Sequence, residues 1–268
     1  MRCTFTSSAG AAFKWPCCSR TSRTNALVLL LMTCPLTPSS RADTQMPGPA
    51  APVGNAPFVL DADYPGGNIV LERIDGNTVL LHQDLRDTQG WWFYWNFRVR
   101  RAAGRTITFK FTDGNPIGVR GPAVSTDAGA TWAWLGARAV KDASFKYTFA
   151  KSDRDVRFCF AIPYQQENLT SFLNEHAHPN LKVEELCKTP KGRSVERIRA
   201  GKVDGEPNYR ILLTARHHAC EMIANYALEG LLEAVLADNV RGLWLRQNVE
   251  ILAVPFMDKD GVEDGDQG

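Results

Sequence analysis

His218 and Glu221, three residues apart, are the side chains whose types and spacing could do metal chemistry in this 268-residue chain. Residues at i and i+3 of a helical turn share one face, so the two could reach the same ion. An imidazole nitrogen with a carboxylate oxygen suits zinc, and a catalytic zinc takes three protein ligands with water in the fourth position. Two of three would be here, and the third must come from elsewhere. The pair follows Ile211-Leu212-Leu213, an apolar run with the look of a buried strand, and precedes a long apolar segment from Met222 to Leu236. Ligands of α/β sheets collect at the carboxyl ends of the strands, so the location matters as much as the spacing. A plainer reading also fits. Asn225, Glu229 and Glu233 continue from Glu221 at intervals of four, as a solvated helix face would. His217 and His218 would then be surface residues at a helix start, where an acid is welcome anyway. A His-x-x-Glu pair is short and common by chance.

Ala215-Arg-His-His-Ala-Cys-Glu221 resembles the first zinc motif of the M14 metallocarboxypeptidases, most closely the cytosolic-carboxypeptidase-like branch, where a strand ends in Ala-Arg-x-His-x-x-Glu before a helix. Val249-Glu-Ile-Leu-Ala-Val-Pro255 and Met257-Asp-Lys-Asp-Gly-Val262 resemble that family's next strand and its Pro-Asp-Gly-Val turn. The departures are Ala219-Cys220 for the usual Pro-Gly and Asp258-Lys259 for Asn-Pro, and neither touches a ligand position. The resemblance spans Trp91 to Gly268. It implies that His218 and Glu221 are zinc ligands and that the substrate is the C-terminus of a peptide or protein.

In that family a later His completes the metal site, an Asn-Arg pair holds the substrate carboxylate and a late Glu is the general base. No His and no Asn-Arg pair follows Glu221 here. The resemblance therefore implies that the third ligand and the general base lie beyond Gly268, and that the chain is a fragment or a truncated reading frame. The isolated chain is expected to be inactive and to bind zinc weakly. Cys220 lies between the two candidate ligands but off their shared face, and reads as a small packing residue.

Apolar and charged fractions are those of an ordinary globular protein, and the net charge of +2 supports neither nucleic acid nor an anionic membrane as partner. Residues 1–42 read as a signal-peptide-like leader: Arg2, Lys14, Arg20 and Arg23 precede the run Ala26 to Met32, with small residues at Ser40 and Ala42 for cleavage. That run is too short to span a bilayer. The protein is expected to be exported, periplasmic or secreted, if the leader functions, and cytoplasmic otherwise. Four of the seven Cys lie in the leader, and Cys159, Cys187 and Cys220 make no disulfide framework. Residues 43–56, rich in Pro, Ala and Gly, read as a linker.

Two domains are expected after it. Over 57–165, apolar and polar residues alternate at Trp91 to Arg100, Thr106 to Phe111, Phe145 to Phe149 and Val156 to Ile162, with turns at Asp113-Gly-Asn-Pro116 and Thr126-Asp-Ala-Gly129. Short alternating strands with turns between them indicate an antiparallel β-sandwich, whose rings fill the space between two sheets rather than form a sugar platform. Such a sandwich also precedes the catalytic domain in the branch the chain resembles. Over 166–268 the order is that of an α/β sheet with a crossover helix, which the resemblance implies is the first part of an α/β carboxypeptidase domain. A helix covers Asn168 to His176, and strands cover Val195 to Ala200 and the run before His218. A largely buried helix covers Glu221 to Asp238, and a strand covers Val249 to Val254. His176 and His178 lack an acidic or Cys partner at ligand spacing and read as solvated junction. The tail, Asp258 to Asp266, lacks EF-hand spacing and is expected as a surface loop. The function this supports is a zinc-dependent metallocarboxypeptidase. The alternatives are a zinc deacylase or amidohydrolase of related fold, and a non-catalytic β-sandwich binding protein.

Overall fold

The computed structural model describes residues 58–268. The leader over 1–42 and the linker over 43–56 lie outside the described residues. Ten strands come first: β1 (Val59–Asp61), β2 (Val70–Asp75), β3 (Thr78–His82), β4 (Asn96–Arg100), β5 (Thr106–Phe111), β6 (Ala123–Ser125), β7 (Ala133–Trp134), β8 (Val140–Lys141), β9 (Ser144–Thr148) and β10 (Asp155–Cys159). Helix α1 (Gln166–Glu175) leads into β11 (Leu181–Lys188), β12 (Ser194–Gly201) and β13 (Tyr209–Thr214). Then follow α2 (Ile223–Leu236), α3 (Val240–Asn248), β14 (Val249–Val254) and α4 (Lys259–Asp264).

The strands form three sheets, ordered β1-β4-β10-β6-β7, β2-β3-β5-β9-β8 and β11-β12-β14-β13. In a strand, alternate side chains point to opposite faces, and here one face of each central strand is apolar. Phe97, Val99, Val156 and Phe158 from the first sheet and Val79, Leu81, Ile107, Phe109 and Phe145 from the second share one buried cluster. Trp95, Phe97, Phe109, Phe145 and Phe158 are completely or almost completely buried, so these rings fill a core and offer no solvated platform for a sugar. Pairing is antiparallel throughout these two sheets except between β3 and β5, which run parallel.

The third sheet is mixed. β11, β12 and β14 pair antiparallel, and β13 pairs parallel with β14 through the crossover helices α2 and α3. β13 is one of the sheet's two edge strands, and Tyr209, Ile211 and Leu212 are exposed, which overturns the expectation of a buried strand. Helix α2 is likewise less covered than its composition predicts. It buries the stripe Asn225, Leu228, Leu232 and Val235 and leaves Ile223 and Leu231 exposed.

Three further elements differ from expectation. β11 is a full strand, hidden in the sequence because its apolar residues are sparse and mostly exposed. The helical segment breaks at Asp238, and α3 restarts with Asn239 as its cap, accepting from Gly242 N at 2.9 Å. The acidic tail is no surface loop. Asp258 caps α4 by accepting from Gly261 N at 3.0 Å, Val262 is buried, and Asp260 and Asp264 pair with Arg193 at 2.7 Å each. Among the described residues no helix is long and apolar enough to cross a membrane.

The first and third sheets are joined by a second buried cluster. It contains Tyr94 and Cys159 from the first sheet's neighbourhood, Leu169 and Phe172 of α1, and Ile198, Leu228, Leu232, Ile251 and Phe256 around the third sheet. The C-terminal residues close the joint. Gln267 is fully buried, its amide donating to Asp84 O at 2.9 Å and Tyr94 O at 2.8 Å and accepting from Tyr94 N at 2.9 Å.

Phe158 meets Phe97, Phe109 and Phe145 at centroid separations of 5.5, 5.2 and 5.3 Å, so Phe158→Ala opens a cavity in the aromatic core. It is expected to lower stability by about 3–5 kcal/mol in chemical denaturation. Beside the joint, burial, reinforced by the charge of Asp87, pushes the Asp266 carboxyl up to about 6 against the pull of Arg86. Its folded pKa exceeds its unfolded one, so its contribution is fully present below the unfolded value and lost as pH rises through about 6. Asp266→Asn is therefore expected to raise stability at pH 7, with the gain shrinking by at most about 1.4 kcal/mol per pH unit as the pH is lowered toward 4. Thermal melts across that range check it.

Candidate metal centre

The parallel strand β13 ends at Thr214, and α2 begins at Ile223. The connection presents His218 and Glu221 at the two ends of one turn, closed by Glu221 N donating to His218 O at 3.3 Å. His218 Nδ1 lies 3.2 Å from Glu221 Oε1, and the two side chains are 54% and 49% exposed. Both predicted ligands are therefore brought together and open to solvent. His217 turns the other way, with Nε2 2.9 Å from Thr214 Oγ1. The solvated-face alternative holds at Glu233, which is exposed, and fails at Asn225 and Glu229. Asn225 is buried, and Glu229 accepts from Tyr164 Oη at 2.6 Å.

What fixes this turn is Arg216, a residue the spacing argument passed over. It is 1% exposed and sits at φ +58°, the left-handed region that a residue with a Cβ enters at a cost. Its Nε donates to Ala219 O at 2.9 Å, Nη2 to the same oxygen, and Nη1 to Tyr164 O at 2.8 Å and Asn225 Oδ1 at 3.1 Å. Asn225 in turn donates to Pro255 O at 2.9 Å. One guanidinium thus ties the turn to the end of the β-rich part, to α2 and to the segment after β14. Burial lowers the Arg216 pKa, and its partners are neutral oxygens.

Backbone bonds complete the frame. Ala215 N donates to Val254 O at 3.1 Å, Met257 N to Ala215 O at 3.0 Å and Asp258 N to Arg216 O at 2.9 Å. Gly261 has no room for a side chain: a Cβ there would lie 2.0 Å from Asp258 Oδ2 and 3.1 Å from the Cβ of Ala219. Cys220 N donates to Gln267 O at 3.3 Å, so the turn is also tied to the buried joint. The Cys220 thiol is buried, and burial and the Glu221 charge push its pKa up to about 11, which disfavours the thiolate a metal would need. It packs, as expected. His176 lies 3.6 Å from Glu233, and His178 Nδ1 accepts from Asn180 N, so neither is placed near the His218 pair's donors by any contact.

An imidazole nitrogen and a carboxylate oxygen at hydrogen-bond distance are a chemically suitable half of a zinc site. Among the described residues, no group of three or more His, Cys, Asp and Glu converges to hold an ion.

Residues 169–267 match the zinc carboxypeptidase family, peptidase M14. The chain is 25% identical over 240 residues to cytosolic carboxypeptidase 6 of Caenorhabditis elegans, covering 78% of this chain and 51% of that protein. It is 26% identical over 212 residues to an uncharacterized protein of Zymomonas mobilis, covering 75% and 54%. The chain thus spans about half the length of the curated relatives it matches. Among solved structures, the metallo-carboxypeptidase of Burkholderia cenocepacia superposes with a TM-score of 0.65 at 21% identity, covering 78% of this chain and 58% of that one. The Pseudomonas aeruginosa metallo-carboxypeptidase, in complex with (2-guanidinoethylmercapto)succinic acid, gives 0.64 at 21% over the same shares. At that identity the likeness establishes the fold.

Arg216→Met leaves the buried oxygens of Ala219, Tyr164 and Asn225 without their donor. It is expected to cost about 3 kcal/mol in urea denaturation, since each orphaned buried acceptor loses about 1–3 kcal/mol.

Proposed function

We propose that this chain supplies the leading part of a zinc-dependent metallocarboxypeptidase, which removes C-terminal residues from peptides or proteins. In this reading residues 57–165 are a β-sandwich domain built from the two five-stranded sheets. Residues 166–268 are the first part of the α/β catalytic domain, and His218 and Glu221 are two of its zinc ligands. The observation that carries the reading is the convergence of His218 Nδ1 and Glu221 Oε1 within 3.2 Å on a turn held rigid from beneath. The family match over 169–267 supports it. Because the chain spans about half the length of its curated relatives, turnover is proposed for a complete catalytic domain and not for these 268 residues.

When bound, zinc lowers the pKa of a coordinated water and polarises the carbonyl under attack. The residues of this chain have the simpler task of holding the ion. His218 would offer an imidazole nitrogen, and Glu221 a carboxylate that would offset part of the metal's charge. Arg216 and the backbone bonds around it keep the two donors from drifting apart.

The test is zinc affinity of the whole chain, measured by competition with a chromophoric chelator. His218→Ala and Glu221→Ala are each expected to weaken binding by more than about tenfold, beyond the low end of the loss typical for outer-shell changes. Equal affinity in the wild type and both variants would remove the reading.

A further inference from the structure

The described contacts of the His218 side chain are few. Nδ1 meets Glu221, and the ring packs against Trp92, whose centroid lies 5.7 Å away at an interplanar angle of 62°. Trp92 comes from the segment before β4, in the β-rich part of the chain, far from His218 in sequence. We propose that Trp92 is a positioning residue of the metal centre: its ring fixes the orientation of the His218 imidazole, so the β-rich part of the chain helps to build the site. The inference rests on the reading of His218 and Glu221 as zinc ligands.

An ion held by both donors takes over the nitrogen and the carboxylate that now face each other. The imidazole then loses its hydrogen bond to Glu221, and Trp92 is the remaining described side-chain contact that restrains the ring. Near-edge-on packing of two aromatic rings is a favoured and directional arrangement. At 54% exposure His218 is otherwise free to rotate, and a ligand that must be ordered on binding loses affinity to entropy.

Trp92 is itself held. The fully buried Gln83 donates from Nε2 to Trp92 O at 2.7 Å. Phe93 lies beside the Trp92 ring at 6.3 Å, and Gly268 lies against its far edge, where a Cβ would come within 3.4 Å. Asp87 secures Gly268 by accepting from its backbone N at 3.2 Å, and also accepts from Gln267 N at 3.1 Å. The contact on His218 is therefore made by a partly buried ring that packs beside Phe93 and Gly268 and whose backbone is held by Gln83. A neighbouring group that orients a metal-binding imidazole typically changes metal affinity by about 10–100-fold.

The experiment is a zinc-competition titration of the full chain as wild type, Trp92→Ala, Trp92→Leu and Trp92→Phe, with His218→Ala as reference. Thermal melts confirm that each variant is folded. The expected result is a loss of about tenfold in Trp92→Ala and Trp92→Leu, with affinity restored in Trp92→Phe, which keeps an aromatic ring. Trp92→Leu keeps apolar volume without the ring, so it separates ring packing from simple filling. If the Ala and Leu variants bind zinc like the wild type while His218→Ala does not, the role of Trp92 is overturned and the zinc reading stands. Unchanged binding in His218→Ala overturns both.

Discussion

The structure around the candidate centre depends on one buried cation. A guanidinium withdrawn from water is tolerable only when its donors are satisfied, and Arg216 meets that condition with backbone oxygens and an amide rather than with a carboxylate. The consequence is geometric. An ion pair would have anchored Arg216 to a side chain free to move, whereas the oxygens of Ala219 and Tyr164 belong to the backbone of the segments that must be held. The left-handed conformation at Arg216 points the same way. It bends the chain sharply at the end of β13, and the bonds of the same residue's side chain stabilise the bend that its backbone strains to make.

That constraint extends beyond the third sheet. Tyr164 closes the β-rich part of the chain, and Gln267 ties Cys220 on one side to Tyr94 and Asp84 on the other. Asn68 does the same for α4, donating to Gly265 O at 2.7 Å and Asp84 O at 2.9 Å. Between these bonds lies an apolar cluster with residues from the neighbourhoods of the first and third sheets. The His218–Glu221 turn is thus braced against the preceding β-rich part of the chain as well as against its own sheet. A change at Tyr94 or Gln267, distant in sequence from His218, acts on the turn through its backbone.

The alternating aromatic strands were legible in the sequence where period-two patterning reports which face is covered, but of the run Trp91 to Arg100 only Asn96–Arg100 is a strand, with Trp91 exposed and Tyr94 buried. The His218–Glu221 turn, β12, β14 and α1 were legible from motif, period and breakers. What failed was the identity of the neighbour. The apolar run at Ile211 to Leu213 looks buried in one dimension, yet β13 lies at an edge with Ile211 and Leu212 exposed, an arrangement no local pattern encodes. β11 failed for the opposite reason: its exposed, charged residues carry no alternation, and only pairing with β12 makes it a strand. The acidic tail looked solvated because its carboxylates find Arg193 and Lys191 through tertiary contact. Arg216 and Asn225 left a trace, as polar residues beside or inside apolar runs, and such a residue most often marks a buried hydrogen-bond network.

The turn separates two demands that conflict in a single side chain. A metal ligand must be accessible and able to give up its proton, which favours exposure, and it must also be held still, which favours burial. Here the candidate ligands His218 and Glu221 stay open to solvent, which spares a carboxylate part of the cost of desolvation. Rigidity is assigned to their neighbours: Arg216, Ala219 and Cys220 between and before them are buried and bonded. Alternation along the turn achieves this, since residues that point inward take the packing and hydrogen bonds while the two at its ends point outward. The substitution of Ala219-Cys220 for the Pro-Gly of the motif is compatible with that division. Both positions serve the inward side through a carbonyl and an amide that any residue supplies, and both side chains are small enough to be covered.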